Sequence, residues 1–447
     1  MELEIFILLL ALKMMEESMR CVEQLMSSPL QLGGFHTLST RRVDMDSNMF
    51  TSSRIVMFAL LAQLADLLPR ESPRWWVMRR AARFKEDLTV QDDAKDDYYL
   101  TLLRMKRSTF IRLLDALRPY LERQVTRFRR PLHPAHILAY AIHRWASGDC
   151  HRHSSWGYGM GKTSGLRAME DVTAALIVVF PNATTFGSAD DRRRSMDWYA
   201  EKGFPNCWGC VDCTHIYIDK PPLRNGDHFC SGRTKRFSIV AQIVFDHELR
   251  ILDLNVGYPG TVHDSRILRN SSMFRRAQAG SVFVDEARHP AISHVQGVSG
   301  GYLLGDAGYP ALPWLVTPYG RWGRNCRRAA AFDARLKIVR VDSERGNGVL
   351  KGRFQNFHWP GKHGIATLPQ QFRAVCILHN ILIDMGEDVD RVFAMRDQGG
   401  GNVHYCPAAV AYRSGGANSD SAAAGRLRDA LRDHVCSNEN WYRDDAN

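Results

Sequence analysis

Three acidic residues stand where a carboxylate is costly unless something positive meets it. Asp212 lies among apolar neighbours in "GCVDCTHIYI", Asp306 sits between Gly305 and Gly308 in "YLLGDAGYP", and Glu344 precedes two glycines in "ERGNGVLKGRF". Desolvating such groups is unfavourable without a compensating cation. In chain order they fall on a strand, a strand end and a helix, a distribution that suits a shared divalent cation held by hard oxygen ligands. Asp264, in "GTVHDSRILRNS", has two readings. It is either the N-cap of the following helix or a fourth acid of the same site, with His263 and Arg266 facing a phosphate.

Two other stretches imitate chemistry. Cys207, Cys210 and Cys213 are spaced by three, with Cys230 a possible fourth. Structural zinc needs four converging ligands, yet Cys210 and Cys213 lie in a strand, where residues three apart point to opposite faces. They are therefore expected to pack as small hydrophobes. "GYGMGKTSG" lacks the first glycine of a phosphate-binding loop, since Trp156 occupies that place, and it follows no strand. It reads as a turn supplying an N-cap to the next helix.

The 447 residues are 45% hydrophobic and 24% charged, which excludes collagen-like, disulfide-scaffold and wholly disordered classes. Ten scattered cysteines suit a reducing compartment. The formal charge is +11, and two windows, 101–130 and 321–353, each carry a net +7. That excess calls for a polyanionic partner, nucleic acid or an anionic membrane surface. "IFILLLALKMM" follows acidic residues and is short for a membrane span, so it reads as an amphipathic or buried helix, with a signal peptide as the lesser alternative because the length of the apolar run fits one.

These residues need elements to position them. Residues 1–98 form a partly helical, poorly defined region ending in the acidic run "QDDAKDDYY". Over 99–197, "YLTLLRMKRSTFIRLLDALRPYLER", "HPAHILAYAIHRWASGD" and "GLRAMEDVTAALIVVF" show helical periodicity, predicting a helical, helix-turn-helix-like domain suited to DNA binding. Over 198–385 the pattern predicts three strands, a helix over "SRILRNSSMFRRAQ", a fourth strand, the Glu344 helix and a buried helix over "QFRAVCILHNILIDM". That is an α/β fold with a mixed sheet flanked by helices. Residues 386–447 turn to Gly, Ala, Ser and Asp, predicting a low-order tail.

The passages "GCVDCTHIYI", "GYPGTVHDSRILRNS", "YLLGDAGYP" and "ERGNGVLKGRF", in that order, resemble the motif blocks of the PIF/Harbinger transposase-derived nucleases, a group of DDE enzymes. "VCILHNIL" resembles the family's closing helix, and coverage runs from Tyr99 to Ile383. The resemblance implies an RNase H-like fold with Asp212, Asp306 and Glu344 as the catalytic triad and Asp264 as another metal ligand. Asp306 precedes Glu344 by 38 positions, close to the compact spacing the resemblance implies, and Asp264 precedes it by 80; topology favours Asp306 as second acid, and both stay open.

The implied cofactor is Mg²⁺ or Mn²⁺ and the implied reaction is two-metal phosphodiester cleavage, with strand transfer open to the same site. Lys351 and Arg353, about two helical turns beyond Glu344, would contact the DNA backbone with His263 and Arg266. DNA is the expected partner, with a Myb-like DNA-binding protein and a homo-oligomer as further ones. No membrane partner is expected, and the location expected from substrate and family is the nucleus. The alternative is a domesticated, catalytically silent DNA-binding or chromatin-associated protein. Two positions depart from the family: Cys213, where glycine is usual, and Ser343, where an apolar residue is common.

Overall fold

Strand β2 (Ser238–Phe245) is buried along its whole length, and the sheet is built around it. A mainly apolar run, SIVAQIVF, suits a strand covered on both faces. It pairs antiparallel with β1 (Cys207–Tyr217) and with β3 (Ile251–Pro259), while β4 (Tyr302–Leu304) and the short β5 (Leu315–Val316) add in parallel beyond β1. The order is β3-β2-β1-β4-β5, the mixed sheet expected, with β5 unannounced because two residues carry no periodicity.

The computed structural model describes residues 82–89, 95–125, 127, 130–284, 288–323, 325–358, 364–387 and 422–438. All lie in one compact unit, Arg79–Asn447. The readings of the two N-terminal apolar runs fall outside the described residues. Among those described, no helix is long and apolar enough to cross a membrane.

The described helices are α1 (Arg83–Asp87), α2 (Lys95–Leu103), α3 (Arg107–Leu121), α4 (Pro134–Ser147), α5 (His151–Gly157), α6 (Lys162–Val179) and α7 (Ala189–Ala200), all before the sheet. Between β3 and β4 come α8 (Asp264–Arg269), α9 (Ser272–Gln278) and α10 (Pro290–Ser293); after β5 come α11 (Arg327–Arg353), α12 (Leu368–Asp384) and α13 (Ala422–Ser437).

Two expected helices are each divided. The first breaks between α2 and α3, where Arg104 takes a positive φ of 59°, outside the right-handed helical region. The second breaks at Asn270, and the Ser271 side chain caps α9 by accepting from the Phe274 N–H. The "GKTSG" turn caps nothing with a side chain: Gly161 is the N-cap of α6 and makes no side-chain bond there.

Helices α2 to α6 do not stand apart from the sheet. Leu113, Leu117, Ile142, Trp145 and Leu176 share one buried cluster with Ile216, Ile243 and Ile251 of the sheet and Phe372 and Ile377 of α12. A helical body folding by itself would need its own closed core; here the core is common. Glu387 ties the ends of this arrangement, its carboxylate accepting from the backbone N–H of Lys106 and the hydroxyl of Thr109 at the start of α3.

The opposite face of the sheet packs Trp208, Val211 and Val244 against Leu268, Met273 and Trp314. A third cluster joins Cys207, Cys210 and Leu304 to Phe332 and Leu336 of α11 and to Leu427, Leu431 and Val435 of α13. The C-terminal stretch therefore holds a docked helix, a correction to the low-order tail. Its apolar residues recur every fourth position, which aligns them on one face, but small and polar neighbours mask the pattern.

Candidate metal and nucleic-acid site

Strand pairing brings the first acids together. Cys210 of β1 pairs in parallel with Leu304 of β4, so two residues further along each chain Asp212 and Asp306 stand abreast where β4 ends. Strand residues alternate in face. Asp212 points to the side of α11, where Asn347 donates to its Oδ2 at 3.3 Å and the Arg340 guanidinium lies 3.7 Å from its Oδ1.

Asp264 arrives from the other face as the first residue of α8. The N-cap is His263, and it makes no side-chain cap bond, so the capping reading of Asp264 does not hold. Its carboxylate accepts instead from the Cys213 thiol, and that sulfur lies 3.1 Å from the Tyr309 hydroxyl. Asp264 and Asp306 meet over Gly308: a β-carbon there would stand 3.1 Å from an oxygen of each. The Gly308 N–H donates to Asp306 Oδ1 at 2.9 Å.

Like charges this close resist ionisation. Burial, reinforced by the charges of Asp306 and Asp264 and opposed by Arg340, pushes the Asp212 carboxyl up to about 7. Burial and then Asp306 raise Asp264 as well. Burial also lowers the Lys351 ammonium to about 8, against the pull of Asp212, and Lys351 donates to the His215 carbonyl at 2.6 Å. His215, pushed down to about 4 chiefly by burial, is neutral near pH 7, and its Nδ1 lies 2.9 Å from the Ser238 hydroxyl.

The three aspartates are thus gathered, and Glu344 stands on the stripe of α11 that carries Arg340 and Asn347. It is exposed there, between the turns that carry Arg340 and Asn347. Among the described residues no three His, Cys, Asp or Glu side chains form a finished ion cage. The donor chemistry nonetheless fits a hard divalent cation, because these are oxygen ligands whose mutual repulsion a cation relieves.

The expected phosphate contacts divide. His263 and Arg266 are exposed, and Arg266 borders a recess of about 580 Å³ with His228, Tyr258, Thr261 and Asn270. Lys351 points at the site. Arg353 is only 1% exposed and faces the core, so a DNA backbone cannot reach it there; its place is set by the helix turning it inward beside Phe354. Ser343, also fully buried, returns its hydroxyl to the Arg340 carbonyl, which satisfies its polar group where an apolar side chain is usual.

Reading the sequence for acids passed over Arg340, Asn347, Tyr309 and the thiol of Cys213. The helical period was the available signal for the first two, since positions 340, 344, 347 and 351 recur at intervals of four, three and four along one stripe. Nothing local pointed to Cys213 or Tyr309, whose meeting depends on the strand order.

Residues 211–380, which include all four acids, match the family described as DDE superfamily endonuclease. The chain is similar to two proteins of Arabidopsis thaliana. One is named protein ALP1-like, 29% identical over 52% of this chain and 55% of its own length; the other is named antagonist of like heterochromatin protein 1, 29% identical over 56% and 62%. It is also similar to HARBI1 of Homo sapiens, a nuclease by name, at 24% identity over 67% of this chain and 81% of that one. The match therefore spans under two thirds of the length of both plant relatives. No solved structure matches.

Proposed function

We propose that this chain, whose residues 211–380 match the DDE superfamily endonuclease family and which is similar to ALP1-like and HARBI1 proteins, is a Harbinger-derived nuclease that cleaves DNA phosphodiester bonds with divalent cations, Mg²⁺ or Mn²⁺. The observation that carries the reading is the convergence of Asp212 from the middle of β1, Asp306 from just past the end of β4 and Asp264 from the start of α8. Those three would hold the cation, and Glu344 would complete the set from α11. When bound, divalent cations polarise the phosphate and provide a nucleophilic water at neutral pH.

The remaining groups position the substrate. Arg340 offsets part of the charge on Asp212 and holds that carboxylate against α11. Lys351 brings a positive charge beside Asp212, while His263 and Arg266 present donors to the approaching backbone. With every chemical role on oxygen ligands and donors, no covalent enzyme intermediate is required. Strand transfer would use the same groups with a DNA 3′-hydroxyl in place of water. In this reading the protein works in the nucleus, as a homo-oligomer and with a Myb-like protein supplying target choice.

A second reading, a silent DNA-binding or chromatin-associated protein, is favoured by the exposed position of Glu344 and by the heterochromatin-related name of one relative. One assay separates them. Supercoiled plasmid incubated with the full chain and Mg²⁺ or Mn²⁺ is expected to be nicked, and Asp212→Ala and Glu344→Ala are each expected to lower the rate at least ~100-fold, the upper range for losing a ligand's supporting contacts. Equal rates in wild type and both variants would sink the nuclease reading, and plasmid shifted but never cut would favour the silent one.

A further inference from the structure

Beyond the carboxylates, β1 continues for five residues whose alternation divides them. Ile216 is buried in the main core, whereas His215 and Tyr217 share the other face and are half-buried. Their rings are 11° from parallel with centroids 6.4 Å apart. The Arg236 guanidinium, exposed on the segment entering β2, lies 5.3 Å from the centre of the Tyr217 ring. Arg233, also exposed, is close enough for its charge to bear on both His215 and Asp264. Lys220, the neighbouring cation, is engaged by Asp227 at 2.6 Å and lies over Phe237.

Two rings on β1 flanked by guanidinium groups from the segment entering β2 do not suit a duplex, whose bases are already stacked and show these rings no free face. They suit a strand whose bases are free to stack while its phosphates meet the cations. The spacing agrees: 6.4 Å between near-parallel rings is close to twice the ~3.4 Å rise of stacked bases.

We propose that this face of β1 is a track for an unpaired nucleic-acid strand leading to the carboxylates, with His215 and Tyr217 as base platforms and Arg233 and Arg236 as phosphate contacts. It rests on nucleic acid being the substrate of the adjacent site, and it specifies that substrate near the scissile bond as single-stranded.

Binding can be measured apart from cleavage. In EDTA, the full chain is titrated into a short fluorescein-labelled oligothymidylate and, separately, a duplex of the same length, with anisotropy as the signal. Tyr217→Leu keeps apolar bulk without a ring and is expected to weaken single-strand binding about tenfold or more while leaving duplex binding unchanged. Tyr217→Phe should bind as wild type, and Arg236→Gln should weaken both. Single-strand binding by Tyr217→Leu equal to wild type, or equal losses on single strand and duplex, overturns the track. Loss in Tyr217→Leu together with no metal-dependent nicking by wild type would overturn the nuclease reading and leave the track standing.

Discussion

The same cost of burying a carboxylate that marks Asp212 operates where no ligand is in prospect. Asp253 on β3 is 7% exposed, and burial, opposed only by Arg276, pushes its carboxyl up to about 6. Its unfolded value is near 3.9, so between pH 4 and 6 unfolding releases a proton and rising pH favours the unfolded chain. The folded state thus carries no penalty from this group below pH 4 and the full penalty above pH 6. Asp253→Asn is expected to raise the melting temperature at pH 8, by the equivalent of ~1–3 kcal/mol, with the gain vanishing at pH 4. A gain that stays constant across that range would rule out ionisation as its cause. Cys213 shows the residue scale from the other side. Read as a departure from a family glycine, it is a donor to Asp264 in the fold, and no reading of types and spacing alone could supply that contact.

At the scale of elements, long periodic segments were legible and their ends were not. The helices over α4, α6 and α12 match the periodicity that predicts them, with Pro134 opening α4 in the first-turn position that proline favours. Breaks at Arg104 and Asn270 were hidden, because the apolar spacing carries on across them. The acids could be assigned to a strand, a strand end and a helix, but whether each faces the others depends on register and helix rotation. For Glu344 the helix rotation puts it on the stripe of Arg340 and Asn347, with its side chain exposed. Helix α13 was missed because Leu427, Leu431 and Val435 are diluted by alanine, glycine and charge. Its docking is testable: Leu431 is fully buried against α11 and β5 residues, and Leu431→Ala is expected to destabilise the fold by about 2–4 kcal/mol in a denaturant titration. A change under ~0.5 kcal/mol, the range of surface substitutions, would mean that α13 is not held there.

For the whole molecule, the charge excess and the fold class were readable together, whereas the division into bodies was not. The helices expected to form a separate DNA-binding domain contribute to the core under the sheet, so their exposed arginines travel rigidly with the carboxylates. Polyelectrolyte behaviour should follow. With Arg233, Arg236, Arg266 and Lys351 contacting phosphates, the logarithm of single-strand affinity should fall with the logarithm of salt at a slope of about −2 to −4, and Arg236→Gln should make it shallower by about 0.7. A slope near zero would show that these cations do not meet the nucleic acid.

The bond from Glu387 to the start of α3 spans 281 positions of sequence, and α12, which covers the early helices, comes nearly as late. A ribosome adding about 5–20 residues per second needs roughly 15–60 s to travel from one partner to the other. Throughout that interval the nascent α3 to α6 helices present Leu113, Ile142 and Leu176 without the helix that will bury them. Slowing translation after α6 would lengthen that exposure.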